Sequence, residues 1–311
     1  MSVFTFGGTA IALRGSGPLR LGGSMGVSIA GAESNVAIGL ARLGHEVRWA
    51  GAVGDDEAGE LVLRTLRAEG VDVSAASRDC GAATGLALFE PRLPELTRVH
   101  DYRAGSAGSR ITACAVAEAF SAARPKVLHL TGITPALSRT ARSAARLALQ
   151  LAAEHSTMVC LDVNYRSQLW SSQEAAEVMR EWAPKADVLI ASDDELALCL
   201  PEGPDDTELR AKELLALGVG EVVVKLGAAG ATAHSAQGRL HRPARAVRAV
   251  DAAGAGDAFA AGYLSALLDG AATATRLERA TATWAFAAAS PRHWEGAPTR
   301  AELALLGAGM R

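Results

Sequence analysis

Apolar and polar positions fall into two textures along the chain. Most of it reads as a short run of apolar residues, a turn, and then a stretch with apolar positions three or four apart. Glu46–Val53 (EVRWAGAV), Lys126–Leu130 (KVLHL), Met158–Val163 (MVCLDV), Asp187–Ile190 and Val222–Lys225 have the first form, that of strands buried on both faces. Helical stretches follow from Asp55-Asp56 to near Gly70 and over Ser138–Glu154, with another at Ala258–Leu268. Strands separated by helices of this length predict an α/β fold with a mostly parallel sheet covered on both faces.

The second texture occupies residues 9–33 and 82–105, both rich in Gly, Pro, Thr and Arg. Short alternating runs such as Thr84–Glu90 (TGLALFE) and Arg98–Arg103 (RVHDYR) predict antiparallel strands on an excursion from the main sheet. Each segment precedes a helical stretch, Ser34–Leu43 and Thr112–Ala122. The expectation is one α/β domain over residues 1–311, with a small β lid built from the two insertions.

Composition narrows the class. The chain has 311 residues, 49% hydrophobic and only 5% aromatic, which excludes a disordered chain. Alanine runs such as Ala271-Ala272 and Ala287-Ala288-Ala289 favour helices that pack closely. Lys and Arg total 31 against 34 Asp and Glu, a net charge of −3 with no basic run, so no nucleic-acid partner is expected. Cys80, Cys114, Cys160 and Cys199 are far apart, which points to free thiols in a reducing compartment, with Cys160 and Cys199 as buried apolar groups. The N-terminus lacks the basic and apolar regions of a signal peptide, and no stretch reaches the roughly 18 apolar residues of a membrane span. A cytoplasmic protein without a membrane partner is expected.

Parallel α/β sheets place ligands at the carboxyl ends of their strands, where Asp55, Thr131, Asp162, Asn164, Arg166, Ser192, Lys225 and Asp251 are expected. The strongest local pattern is Asp251-Ala-Ala-Gly-Ala-Gly-Asp257 running into a helix. Small residues at Gly254, Ala255 and Gly256 leave the helix's free N–H groups uncovered, which suits a phosphate or a developing oxyanion. A carboxylate at Asp257, beside that anion hole, could accept a proton while the hole steadies the negative product. The plain alternative is a glycine turn with Asp257 as a favourable first-turn charge.

These residues resemble the second signature of the ribokinase (PfkB-type) carbohydrate kinases. Ala30-Gly31-Ala32-Glu33-Ser34-Asn35-Val36-Ala37, closing at Leu43-Gly44, resembles the first signature, in the correct order. Tyr102-Arg103-Ala104-Gly105-Ser106-Ala107, Leu130–Leu137, Leu161–Arg166 and Glu295-Gly296-Ala297-Pro298 are similar to the 2-keto-3-deoxygluconate kinases, so the resemblance spans nearly the whole chain. It implies a ribokinase-like fold and ATP-dependent phosphorylation of a sugar-acid hydroxyl, with Mg2+ as cofactor. It assigns Asp257 as the base and the backbone of Gly254, Ala255 and Gly256 as the phosphoryl hole. Gly31, Asn35, Tyr102, Arg103 and Arg166 would bind the sugar, the arginines reading its carboxylate. Ser192, Lys225, Gly227 and Gly230 would bind nucleotide, and Glu195 would hold Mg2+ through water. Without the resemblance, Gly227–Gly230 reads equally as a turn between two strands, and Ser192 with Glu195 as a helix capping box. The resemblance also implies a homo-oligomer formed through the lid.

Some positions depart from the pattern of the sugar-acid kinases. Ala87 stands where an aromatic is common, Asp101 precedes Tyr102 in place of a second tyrosine, and Arg292-His293-Trp294 replaces an Asp-His pair. Ala252-Ala253 stand where the wider family often has Thr. These changes keep a neutral ketose or a ribose- or nucleoside-type substrate as the alternative, and a non-enzymatic sugar or nucleotide sensor as a third reading. Gly22-Gly23-Ser24-Met25-Gly26 satisfies Gly-x-Ser-x-Gly, but the following Val27–Ala30 alternates like a strand where a nucleophile elbow needs a helix. His129 is expected to be a hydrogen-bonded interior residue, and Trp170, Trp182 and Trp284 to be packing elements.

Overall fold

The computed structural model describes residues 1–93, 96–122, 124–201, 205–251 and 253–308; Ala252 of the second signature lies outside them. The chain opens with β1 (Val3–Phe6), β2 (Ala10–Gly15), β3 (Met25–Ala30) and α1 (Ala32–Arg42). Next come β4 (Val47–Ala50), β5 (Ala52–Gly54), α2 (Glu57–Ala68), β6 (Ser77–Asp79), β7 (Gly85–Leu93) and β8 (Leu96–Tyr102). The middle holds α3 (Ala113–Ala122), β9 (Val127–Thr131), α4 (Ile133–Leu137), α5 (Arg139–Glu154), β10 (Met158–Asp162) and α6 (Ser172–Trp182). It continues through β11 (Val188–Ser192), α7 (Thr207–Ala216), β12 (Glu221–Lys225), β13 (Ala231–Ser235) and β14 (Gly238–Arg242). Three helices close it: α8 (Ala255–Leu268), α9 (Thr273–Ala288) and α10 (Arg300–Ala308).

Among the described residues, eight strands form the main sheet in the order β14-β13-β12-β11-β10-β9-β1-β4. Pairing is parallel from β4 to β12, and β13 and β14 add antiparallel strands at one edge. Alternate positions along each strand feed a core on either face. Leu189, Val222 and Val224 pack on one side, Ile190 and Val223 on the other. That two-sided burial is why these strands read as unbroken apolar runs. Helix α5 covers the first face with Ala141, Ala144, Ala145, Ala148 and Ala152, all fully buried, and Ser138 caps its start by accepting the Ala141 N–H at 3.0 Å. Helices α1 and α8 pack on the opposite face so closely that a Cβ on Gly39 would stand 2.7 Å from the Cβ of Ala261.

The single strand expected at Glu46–Val53 is two. Strand β4 ends at the sheet edge, and β5 turns away to pair in parallel with β6. Asp55 follows β5, so it lies off the main sheet, two-thirds exposed and beside Arg78 at 3.8 Å. The two insertions form a second sheet in the order β3-β2-β7-β8. Its hairpins β2–β3 and β7–β8 are antiparallel as expected, but they join through a parallel β2–β7 pair. Ser24 precedes strand β3 and no helix, so it is no nucleophile elbow. His129 is buried and shares a hydrogen bond with Thr5 Oγ1 at 3.0 Å, and burial pulls its imidazole down to about 3. Cys160 and Cys199 are buried, Trp170 and Trp182 pack in the core, and the partly buried Trp284 packs against α8. No helix among the described residues is long and apolar enough to cross a membrane.

Candidate active site

Helix α8 begins with Gly254 as its N-cap, at φ 78°, and its first turn bond is Ala258 N–H to the Gly254 carbonyl at 3.0 Å. The amides of Ala255, Gly256 and Asp257 therefore stand outside the helical ladder, at the positive end of a fourteen-residue helix. A left-handed residue is needed here, and space is also short. A Cβ on Gly254 would lie 3.0–3.1 Å from backbone atoms of His293.

Asp257 sits in that first turn with 6% exposure. Asn35, on α1, donates from Nδ2 to Asp257 Oδ2 at 2.8 Å, and Asn164 donates to Oδ1 at 3.3 Å. Asn164 follows β10 at φ 42°, a left-handed conformation that asparagine tolerates better than most residues. Burial pushes the Asp257 carboxyl up to about 6, against the opposing pull of the Asn35 hydrogen bond and the Arg166 charge. A carboxylate so placed is mostly ionised at neutral pH and still basic enough to accept a proton.

The space in front of Asp257 is a cavity of about 250 Å³ between the second sheet and the starts of α1 and α8. Gly31, Asn35, Arg103, Arg166, Gly254 and Asp257 line it, so the structure brings these expected residues together. Ala87, Phe89, Val99, Asp101, Ile133, Gln168, Leu169 and His293 complete much of the wall. Tyr102 does not join them. Strand alternation sends Val99 and Asp101 to the cavity side of β8, and Arg103 turns in just past its end, while Tyr102 is 59% exposed on the other face. Asp101 engages Arg103 closely, with contacts to Nε at 2.8 and 2.9 Å and to Nη2 at 2.5 Å, and it also accepts the Arg103 N–H.

Lys225, at the end of β12, reaches across to Asp162 at the end of β10 with Nζ to Oδ1 at 2.9 Å. The Asp162 and Glu195 charges, outweighing burial in net effect, push the ammonium above its ordinary value. Its Nζ also lies 3.9 Å from where a Cβ on Gly256 would stand, so the amine faces the start of α8. Gly227 and Gly230 lie on the turn between β12 and β13, closed by Leu226 N–H to the Gly230 carbonyl at 2.8 Å. They line a narrow gap with Lys225 against Phe259, Thr281 and Trp284, apart from the cavity in front of Asp257.

Glu195 is buried and accepts the Tyr165 N–H on one oxygen and the Ser192 N–H on the other, each at 2.7 Å. It thus brackets the loop after β10 to the end of β11. The expected capping box does not form: Asp194, not Ser192, is the N-cap of the short helical turn Glu195–Cys199, and the Ser192 hydroxyl turns to Asp194 Oδ1 at 2.6 Å. Glu33, in the first turn of α1, is also part of the site's frame. Thr131 and Thr134 both donate to its Oε1, at 2.5 and 2.7 Å, and complete burial pushes its carboxyl up. Its role is visible only in three dimensions, because its partners come from β9 and α4. Phe89 and His293, in contact at 4.4 Å with their rings tilted by 57°, likewise need the fold to meet.

Residues 3–300 match the model of the pfkB family carbohydrate kinases. A 2-dehydro-3-deoxygluconokinase of Bacillus subtilis (strain 168) is 34% identical over 284 residues, 89% of this chain and 85% of that protein. A 5-dehydro-2-deoxygluconokinase of Clostridium perfringens (strain 13 / Type A) is 33% identical over 278 residues, 87% of this chain and 81% of that one. Among solved structures, the PfkB protein of Polaromonas sp. JS666 superposes with a TM-score of 0.87 at 33% identity, covering 98% of this chain and 99% of that chain. The chain belongs to the pfkB family of carbohydrate kinases, with a ribokinase-like α/β fold and a phosphotransferase's chemistry on a sugar hydroxyl.

Proposed function

We propose that the protein phosphorylates 2-keto-3-deoxygluconate at its 6-hydroxyl, with ATP as donor. The observation that carries this reading is the convergence in one cavity of Asp257, the start of α8 and two arginines, Arg103 and Arg166. The sugar lies against Gly31 and Asn35, its carboxylate toward the arginines and its terminal hydroxyl toward Asp257. The hydroxyl oxygen bonds to the γ-phosphorus, the bond from that phosphorus to the bridging oxygen of ADP breaks, and the hydroxyl proton passes to Asp257. Gly254, Ala255 and Gly256 steady the charge of the transferring group through backbone amides, and Lys225 adds its ammonium on the same side. The second sheet acts as the lid that keeps water from the phosphoryl group.

The nucleotide lies toward Ser192, Lys225, Gly227 and Gly230. Magnesium, when bound, would screen the phosphate charge. The donor set suits a hard cation held through water: Asp162 Oδ2 is buried without a partner, and both oxygens of Glu195 already accept amides. Free thiols, two of them exposed, suit a reducing cytoplasm. Two copies would associate through the outer edge of the second sheet, where Met25 and Val27 are exposed; light scattering on the purified protein tests that.

One observation favours the second reading, a neutral ketose or ribose-type substrate: Asp101 already engages Arg103. ADP release measured over 2-keto-3-deoxygluconate, 5-dehydro-2-deoxygluconate, fructose, ribose and nucleosides decides between them. Under our reading the first gives the highest kcat/KM, and Asp257→Asn lowers that rate by about 10²–10⁴-fold while ATP still binds. Preference for a neutral sugar, or an unimpaired Asp257→Asn, overturns it.

A further inference from the structure

We propose that Arg14 is a positioning residue that ties the seating of the second sheet to the formation of the phosphoryl hole, with Asp251 as the joint. The inference rests on the kinase reading above and adds a residue that lies outside both signatures.

Arg14 belongs to β2, in the sheet that roofs the sugar cavity. Its Nη2 lies 2.5 Å from Asp251 Oδ2, and both side chains are largely covered, at 23% and 12% exposure. The other oxygen of Asp251 accepts the Ala253 N–H at 2.9 Å, the residue that leads into Gly254. One carboxylate therefore touches the roof with one oxygen and fixes the entry to the phosphoryl hole with the other.

A second path joins the same parts. The Arg14 guanidinium stacks over Phe89 of β7 at 5.3 Å, and Phe89 packs on His293 at 4.4 Å. The backbone of His293 is what a Cβ on Gly254 would strike at 3.0 Å. The roof thus bears on the start of α8 through the ion pair and through the Phe89–His293 contact. If the sheet lifts, Asp251 loses its cation, the Ala253 turn loses its anchor, and the amides of Ala255 and Gly256 are no longer aimed. Phosphoryl transfer would then proceed only when the sugar is roofed, which protects ATP from water.

A residue of this kind acts on the transition state more than on substrate affinity, and that separates it from a simple structural clip. With both substrates saturating, Arg14→Met should lower kcat by about tenfold or more while the sugar KM stays within about threefold. Arg14→Lys, which keeps the charge, should recover most of the loss. Asp251→Asn should lower kcat similarly, and the double variant Arg14→Met/Asp251→Asn should be little worse than either single one, as expected for two halves of one contact. A kcat within about threefold of wild type for Arg14→Met, additive losses, or a lowered melting temperature with no rescue by lysine would each overturn the proposal. If Arg14→Met fails to fold, Arg14→Lys and Asp251→Asn carry the same comparison. The rates are taken on whichever sugar the wild type phosphorylates. A wild type that rejects sugar acids would therefore count against the substrate reading and leave this one standing on its own ratios.

Discussion

Asn35→Ala tests the electrostatics of the proposed base directly. Asn35 donates to Asp257 at 2.8 Å from a site that is 5% exposed, and this hydrogen bond favours the ionised carboxylate. A hydrogen bond to a charged group is worth about 1.5–3 kcal/mol, and about 1.4 kcal/mol corresponds to one pH unit of proton affinity. Asn164 keeps its own bond at 3.3 Å and water can enter the space left by the side chain, so the lower end applies. The acid limb of the kcat–pH profile should therefore lie about one pH unit higher in the variant than in the wild type. The sign follows from the chemistry: the base must be ionised, so activity is present above the midpoint and is lost as pH falls through it. Alanine favours the helix interior, so α1 should hold. The assay couples ADP release to a dehydrogenase across the pH range at saturating sugar and ATP. Asn35 also lines the proposed sugar cavity, so KM should rise, but a KM change alone leaves the kcat midpoint in place. A midpoint that stays put or moves down would refute the assignment of Asn35 as the group that holds Asp257 ionised.

Two further outcomes follow from the same geometry. Gly254→Ala forces a side chain onto a φ of 78° and against His293 backbone at 3.0 Å, so stability should fall by about 1–3 kcal/mol in urea titrations and kcat by on the order of 10²-fold, with the sugar KM changed far less. Asp101→Ala removes the carboxylate that orients Arg103, and the KM for sugar acids should rise several-fold at nearly constant kcat; a KM that falls would show that Asp101 opposes the substrate's charge rather than aiming the arginine.

Much of this molecule was legible because its periodicities are strong. Strands β9 to β12 are apolar on both faces, and Ser138 caps α5 at the position its sequence suggests. The start of α8 was equally plain, since Gly254 caps it where the small residues run into the helix, as the pattern suggests. The errors have local causes. Glu46–Val53 keeps one apolar texture across a change of partner strand, and nothing in the pattern marks where β4 ends and β5 begins. Tyr102 was placed in the sugar site with its neighbour Arg103, yet it follows Asp101 on β8 and so faces away from the cavity, while Arg103 lies past the strand's end. Asn164 stood among the polar strand ends, but its hydrogen bond to Asp257 depends on a left-handed turn that the sequence does not announce. Glu33, Phe89 and His293 act through partners dozens to hundreds of residues away, so only the assembled fold shows their use.

The arrangement of charge around Asp257 bears on why a sugar acid fits the proposed chemistry. Arg103 already has a carboxylate partner in Asp101, whereas the Arg166 guanidinium donates only to the Tyr165 carbonyl among its described contacts, at 2.8 Å. Arg166 is therefore the group with charge to spare for an anion. It is also one of the charges that hold the Asp257 proton affinity down. A substrate carboxylate settling against Arg166 would offset that pull and leave Asp257 a stronger base, at the moment its proton acceptor is needed. A neutral sugar would leave the pull intact. Under the proposed reading, the side chain that recognises the substrate's charge also sets the strength of the base, so recognition and proton transfer are joined through one guanidinium.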